Sequence, residues 1–277
     1  MTLPSTVGTL IEYARFAVQM CHVMTGQTCT DLELPKAIVN LYESNSTLHR
    51  RFENVSSKYH VVLTTNSWLT NDNKLKSISL LGTKHIPQGA FSQCLALERV
   101  NFPKVETIDN WAFGGCTALT ELNLPNAVTV GQNLINGSAV KKISLPKATN
   151  IPFQGLYNCP FLEEAYLESV ETTSADWLKN CPKLRILTLG KVSSFVSCLN
   201  ASTELEYLSV KKGTTANLPL YRHPKLTEEC ILQIFENYAD FNIIQGSATV
   251  YLSQEQSEMM SGYLFKLEEK NIDYEVV

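Results

Sequence analysis

Four cysteines occupy the same place in a pattern that recurs along the chain, and thiols are the side chains here best suited to redox, metal or nucleophilic chemistry. Cys94, Cys116, Cys159 and Cys181 each lie three residues before a leucine, and Ser138 takes the corresponding place in the intervening repeat. A position that accepts cysteine or serine selects a small buried side chain, and free cysteine packs as a small hydrophobe. We therefore expect a stacked row of reduced thiols rather than disulfides, and the sequence has no Cys-x-x-Cys pair that would indicate a zinc site.

Catalytic groups do not converge in this sequence. It contains no His-Glu-x-x-His and no Gly-x-Ser-x-Gly, and the segment from Gly131 to Gly137 lacks the Lys-Ser/Thr of a phosphate-binding loop. The five histidines are dispersed along the chain: His22, His49, His60, His85 and His223. A catalytic cysteine needs a nearby base, and the repeated cysteines are expected to be buried. We therefore predict no enzymatic activity, no cofactor and no metal.

A leucine that returns every 21 or 22 residues organises the chain. The repeated positions are Leu75, Leu97, Leu119, Val140, Leu162, Leu184, Leu205 and Leu226. A fixed period in the twenties is typical of a solenoid, in which each repeat buries its apolar edge by stacking on its neighbours. The sequence predicts seven coils between Leu75 and about Arg222.

Each coil contains a Leu-x-x-apolar-x-apolar segment that predicts a short strand with alternate residues buried. In one coil Leu97, Val100 and Phe102 are predicted to point inwards. Stacked strands about 4.8 Å apart would give a parallel sheet on the order of 30 Å long. Proline follows several of these strands, as at Pro103 and Pro125, and ends the hydrogen-bonded ladder there.

The two ends of the chain depart from the period. Residues 1–70 are predicted to form an N-terminal capping region, with helices over 5–24 and 35–42 and a strand over 61–65. Residues 71–222 form the repeats.

Residues 223–277 are predicted to form a small C-terminal cap. A helix should begin after Thr227 as N-cap, a strand should cover 248–252, and Ser253 with Gln256 forms a capping box that opens a helix reaching Leu267. A final strand over 272–277 gives a β-α-β order with parallel pairing.

The repeat text resembles the BspA-type leucine-rich repeat. The two segments that match it best are Ile86-Pro-Gln-Gly-Ala-Phe91-Ser-Gln-Cys94-Leu-Ala-Leu97 and Ile108-Asp-Asn-Trp-Ala-Phe113-Gly-Gly-Cys116-Thr-Ala-Leu119. The resemblance covers about 75–222 and is tightest over 86–125, whereas residues 190–222 lose most of the consensus. It implies a surface-exposed binding or adhesion protein that contacts host matrix proteins, other cells or carbohydrate, and it brings no catalytic residue.

With this resemblance, the sequence predicts an α/β leucine-rich-repeat solenoid. It would have about seven coils of 21–22 residues, a parallel sheet on one face, a helical N-terminal cap and a small β-α-β C-terminal cap. The resemblance implies a cell-surface or secreted location. No signal peptide is recognisable in the chain, so it either avoids the general export route or begins after its leader, and a cytoplasmic location stays open.

Charge and hydropathy limit the classes of partner that the chain is expected to bind. The formal net charge is −4 and the basic residues are scattered, so we expect no nucleic-acid partner. No segment is long and apolar enough to predict a membrane span. The expected partner is a protein or a glycan, and the oligomeric state does not follow from the sequence.

The outward positions of the predicted strands fall into two groups. Arg99, Glu121, Lys142 and Glu164 alternate in sign on consecutive strands, which predicts a column of ion pairs that stabilises the sheet rather than a ligand site. The second group, Tyr166, Ile186 and Tyr207, is uncharged and is our candidate ligand-binding strip. The alternative is that the C-terminal cap or a loop covers it.

Three functions remain open at this point. The first is a non-enzymatic recognition or adhesion module that binds protein or carbohydrate through the solenoid surface. The second is a structural or receptor-binding component of a prophage or secreted particle. The third is an intracellular protein-interaction scaffold, which would accommodate eight unpaired thiols.

Overall fold

The computed structural model describes residues 69–73, 75–80, 82–194 and 204–277, and the backbone of residues 31–33 and 60–62. Strands β1 (Asp31–Glu33) and β2 (His60–Val62) pair in parallel. The helices predicted for 5–24 and 35–42, and positions 63–65 of the strand predicted for 61–65, lie outside the described residues.

One side of the solenoid is a stack of short parallel strands, which we call the front sheet. Its strands are β3 (Ser77–Ser79), β5 (Arg99–Asn101), β7 (Glu121–Asn123), β9 (Lys142–Ser144), β11 (Glu164–Leu167), β13 (Ile186–Leu189) and β14 (Tyr207–Ser209). Neighbouring strands are in register at the repeat spacing, as in Leu122 with Ile143 and Leu187 with Leu208. These central residues are buried, so the alternation read from the sequence is confirmed.

The opposite side carries a second, thinner set of strands, the back ladder. It consists of β4 (His85–Ile86), β6 (Thr107–Ile108), β8 (Thr129–Val130), β10 (Asn150–Ile151) and β12 (Thr172–Thr173). Strands β4, β6 and β8 form one ladder, and β10 pairs with β12 in another. Ile86, Ile108 and Ile151 point into the core from this side, so front and back enclose one continuous apolar interior.

Rings fill the core of the early coils, and leucines fill it further along. Phe91 stacks on Phe102 and on Phe113 with ring centroids 5.5 and 5.3 Å apart. Phe102 occupies the strand-end position that Leu124 and Leu145 occupy in the next two coils. Strand β5 therefore ends in a buried aromatic ring, unlike β7 and β9.

Two left-handed backbone positions recur in the turns between front and back. The first holds Gly89, Trp111, Asn133, Gln154 and Asp176, and the second holds Asn71, Gln93, Gly115, Gly137, Asn158 and Asn180, all with φ between 54° and 71°. Glycine and asparagine adopt this conformation at the lowest cost. Their return at the repeat period is therefore a property of the corner rather than of any ligand.

The C-terminal unit caps the last coil. Its elements are β15 (Leu218–Pro219), a 3-10 helix (Leu220–Arg222), α1 (Glu228–Asn237), β16 (Thr249–Leu252), α2 (Gln254–Met259), α3 (Phe265–Glu268) and β17 (Asp273–Val276). Strands β15, β16 and β17 form a parallel sheet in that order. Helix α1 packs against β14, where the buried Cys230 Sγ donates a hydrogen bond to the Leu208 C=O at 3.1 Å.

The predicted caps of these helices are confirmed. The Thr227 side chain accepts from the Cys230 N–H, and Ser253 with Gln256 forms the full capping box. The continuous helix predicted to reach Leu267 is wrong, because a turn separates α2 from α3. The sequence also gave no indication of β15, a two-residue strand.

Candidate functional site

The repeated cysteines form the predicted row of reduced, buried thiols. The Sγ atoms of Cys94 and Cys116 donate to carbonyl oxygens of the preceding coil, at 3.1 Å each, and Cys181 Sγ does so at 3.3 Å. Burial, with a smaller contribution from Cys94, raises the pKa of the Cys116 thiol to about 12. A nucleophilic cysteine needs a lowered pKa and access to substrate, so these thiols are packing groups.

Of the charge column predicted on the front sheet, the pair between Lys142 and Glu164 forms. Lys142 Nζ lies 3.2 Å from Glu164 Oε2 and 5.0 Å from the centroid of the Tyr166 ring. The Tyr166 hydroxyl donates to the same Glu164 oxygen at 2.9 Å. The hydrogen bond from Tyr166 and the charge of Lys142 lower the pKa of Glu164.

The other two predicted pairs, Arg99 with Glu121 and Glu121 with Lys142, do not come within ion-pair distance, so the expectation is wrong there. Arg99 Nη1 instead lies 3.0 Å from Oε2 of Glu98, the residue that precedes it. The Arg99 side chain is 71% exposed, so this pair is solvated and weak.

The front strip, defined as Tyr166, Ile186 and Tyr207, lies on β11, β13 and β14. Ile186 and Tyr207 are in direct register, and Tyr207 is 40% exposed. Tyr166 lies diagonally from them, because the residue of β11 in register with Ile186 is Glu164. The structure thus brings two of the three together as an uncharged pair on the outer face and places Tyr166 one step aside.

The front sheet is interrupted between β5 and β7, and we call this break the seam. At β3–β5 the Glu98 N–H donates to the Lys76 C=O at 2.8 Å, and at β7–β9 the Lys141 N–H donates to the Thr120 C=O at 2.8 Å. Among the described residues of these two coils, the equivalent bond from the Thr120 N–H to the Glu98 C=O is not made.

The far end of the same two strands shows the same interruption. The Leu124 N–H donates to the Ser144 C=O at 3.0 Å, but the Phe102 N–H makes no such bond to the Asn123 C=O within these coils. Both ends of the ladder are therefore open at the seam, beside the wide ring of Phe102.

A groove of about 530 Å³ lies along the seam on the outer face. It is lined by Ser77, Ile78, Ser79, Glu98, Arg99, Val100, Asn101, Thr120, Glu121 and Asn123. Val100 is only partly buried, whereas the equivalent Leu122 and Ile143 are fully buried. The groove was not predicted from the repeat text, in which Phe102 stands where the next two coils have Leu124 and Leu145.

Two further classes of site were searched for among the described residues. No cluster of three or more His, Cys, Asp or Glu side chains there is arranged to hold a metal ion. None of the helices described combines the length and the apolar character that crossing a bilayer requires.

The coil geometry and the repeat text agree with one family model. Residues 84–203 match six copies of the BspA type leucine rich repeat region. The repeats of this chain are BspA-type leucine-rich repeats. Leucine-rich repeats of this kind generally serve recognition rather than catalysis.

Three solved structures match this chain at low sequence identity. A leucine-rich repeat protein from Bacteroides ovatus ATCC 8483 is 19% identical, with a TM-score of 0.45 over 78% of this chain and 56% of that one. A leucine rich cell surface protein from Faecalibacterium prausnitzii A2-165 is 15% identical, with a TM-score of 0.32 over 79% and 66%. An internalin from Listeria monocytogenes is 15% identical, with a TM-score of 0.38 over 88% and 93%.

This chain spans less than two thirds of the length of each of the first two structures. No protein among the curated sequences matches it significantly.

Proposed function

We propose that this chain is a non-enzymatic recognition module that binds a protein partner on the front sheet, with Tyr166, Ile186 and Tyr207 as contact residues. The observation that carries this proposal is the side-by-side pair of Ile186 and Tyr207 on the outer face. Tyrosine is enriched in the cores of protein interfaces, and aromatic side chains are frequent hot spots.

The pair lies on a packed core and beside an ion pair. Leu187 and Leu208 lie beneath it in the core, and Arg185 Nη2 lies 2.8 Å from Glu206 Oε2 beside it. Binding to a surface that is already ordered loses little conformational entropy, so a modest contact area can give useful affinity. The polar rim and apolar centre match the usual anatomy of a protein interface.

A cell-surface or secreted location, and a role in adhesion, belong to the same proposal. Their support is the repeat family, whose members are typically surface-associated. Exposure of the protein to antibody on intact cells of the source organism tests the location directly, since an intracellular scaffold would be labelled only after the cells are permeabilised.

The test of recognition is binding of the purified protein to an array of extracellular matrix proteins, followed by affinity measurement for each protein bound. The double variant Ile186→Ala/Tyr207→Ala should weaken the affinity for a genuine partner by at least about tenfold, which is the effect of losing one hot spot. The matched control is Val128→Ala/Phe153→Ala, which removes two exposed apolar side chains from the back half of the coils and should leave affinity unchanged.

Each other result has a defined meaning. Equal loss in both double variants would contradict a site on the front strip. If the wild type binds no protein on the array, that result would count against adhesion. It would favour a component of a prophage or secreted particle, or an intracellular scaffold.

A further inference from the structure

We propose that the seam groove between β5 and β7 is a binding site for a neutral saccharide unit. The groove lies on the same outer face as the front strip but at the other end of the front sheet, four strands from β13. It therefore adds a second site and does not depend on the proposed protein-binding role.

The width of the seam excludes a peptide strand as occupant. Residues of β5 and β7 still approach within 8 Å at Cα. A strand inserted between two others would hold them about 9.6 Å apart, which is twice the usual strand spacing. The open main-chain groups can therefore be reached only by small polar groups entering from the outer face.

The hydrogen-bonding groups of the groove favour hydroxyls. The seam offers a main-chain donor at Thr120 and carbonyl acceptors at Glu98 and Asn123 to the groove. A hydroxyl both donates and accepts, so a ligand with several adjacent hydroxyls satisfies such a mixture, whereas a purely accepting or purely donating ligand does not.

Side chains of the groove add groups of the same kind. The Asn101 amide nitrogen donates to Ser79 Oγ at 3.2 Å, which fixes the orientation of that amide and turns its carbonyl oxygen away from the serine. Asn123 lies on the other wall and is exposed. An oriented amide on one wall and a second amide opposite provide acceptors and donors at fixed positions.

Size, charge and the floor of the groove narrow the ligand class. A volume of about 530 Å³ lies within the range of small-ligand sites. The lining contains one guanidinium, already paired with Glu98, and the further carboxylate of Glu121, so an anionic ligand is repelled. Ile78 and Val100 form an apolar floor, which suits the C–H face of a pyranose ring.

The test is saturation-transfer NMR of the intact chain with D-glucose, D-galactose and D-mannose at millimolar concentration, and with N-acetylneuraminic acid as the anionic probe. We expect saturation of at least one neutral sugar and none of the acid. Asn101→Ala and Asn123→Ala should each weaken binding about three- to tenfold, which corresponds to the loss of one net hydrogen bond. Asn150→Ala removes an exposed asparagine from the back ladder and should have no effect.

A second variant keeps the proposal testable if single alanines act weakly. Asn101→Trp places an indole ring in the mouth of the groove and should abolish the signal, while circular dichroism confirms that the solenoid is folded. Absence of any wild-type signal, equal binding of N-acetylneuraminic acid, or binding that survives Asn101→Trp would each overturn the proposal. Because the variants avoid Ile186 and Tyr207, failure here leaves the protein-binding proposal to be judged on its own test.

Discussion

The thiol of Cys116 donates its hydrogen bond to the main-chain carbonyl of Phe91, 3.1 Å away in the preceding coil. Cys94 makes the equivalent bond to the Leu69 carbonyl at 3.1 Å. Each thiol thus joins its coil to the one before it, beside main-chain bonds between coils such as Phe91 N–H to the Ala112 C=O. The cysteine row stabilises the stacking of the coils, because these thiol donors are hydrogen-bonded within the solenoid itself.

The first prediction is that Cys116 resists alkylation in the folded protein. Iodoacetamide reacts with the thiolate, and burial raises the pKa of this thiol to about 12 while excluding the reagent. Peptide mass spectrometry should find Cys116 unmodified at mildly alkaline pH without denaturant and fully modified in guanidinium. Rapid labelling of Cys116 in the folded state would contradict the assignment.

The second prediction follows from the same pKa and concerns stability at high pH. The unfolded chain releases this proton near pH 9.0, whereas the folded chain holds it until about pH 12. The free energy of unfolding therefore falls as pH rises between these values. Urea unfolding at a series of pH values should show this fall, and it should be shallower for Cys116→Ser, which has no thiol to ionise and matches Ser138 of the next coil.

The third prediction concerns the left-handed positions in the turns between the front sheet and the back ladder. It distinguishes the energetic cost of the backbone conformation from the cost of fitting a side chain there. Gly137 has a φ of 66°, and an added Cβ would meet no atom within 4 Å. Gly137→Ala should therefore lower the free energy of unfolding by about 1–2 kcal/mol, the cost of a left-handed conformation for an L-residue. Gly137→Asn should cost less, since Asn71 and Asn158 hold the same position in other coils.

The control for this prediction is Gly262→Ala. An added Cβ there also meets no atom within 4 Å, but the backbone is not left-handed, so stability should change by less than about 0.5 kcal/mol. Equal effects at Gly137 and Gly262 would mean that the corner conformation contributes nothing.

The repeat period was enough to predict the strands of the front sheet, their parallel order and which side chains they bury. Leu122 and Leu124, for example, are both buried, because residues two apart on a strand face the same side. The seam was not predictable in this way, because the text around Leu97 and around Leu119 is nearly the same. What differs is a core ring at Phe102, and its effect on strand spacing depends on stacking with Phe91 and other residues distant in sequence.

The front strip shows a second limit of sequence reasoning. Alternation identifies Tyr166 as outward-facing, but it does not say that its hydroxyl is bound to Glu164 or that Lys142 lies over its ring. Those contacts depend on the rotamers that side chains on neighbouring strands adopt. A pattern of outward residues therefore overstates how many of them are free to meet a partner.

The fourth prediction tests this hydrogen bond. In Tyr166→Phe the pKa of Glu164 should rise towards its ordinary value of 4.5, because the hydroxyl makes the largest contribution to lowering it. Lys142 remains and keeps part of the shift. NMR titration of the Glu164 side-chain carboxyl measures the change directly, and Tyr207→Phe on β14 is the control that should leave it unaltered.

The sign of the corresponding stability effect follows from the lowered pKa. Glu164 contributes stability above pH 4.5, which is lost as pH falls through its folded pKa. The Tyr166→Phe variant should therefore lose less stability on acidification than the wild type. A steeper acid loss in the variant would contradict the role given to the hydroxyl.

The fifth prediction concerns the packing of helix α2 on the 3-10 helix inside the C-terminal unit. The buried Gln256 amide donates to the Leu220 and His223 carbonyls, at 3.1 Å each, while its side-chain oxygen accepts from the Ser253 N–H. Gln256→Met keeps the length of the side chain but leaves buried carbonyls without this donor, which should cost about 1–3 kcal/mol. Gln254→Met on the same helix alters an exposed side chain and should cost little. Chemical denaturation of both variants measures the difference. If they unfold at the same denaturant concentration, apolar packing alone holds α2 in the C-terminal unit. A large loss confined to Gln256→Met shows that the buried hydrogen bonds hold α2 on the 3-10 helix.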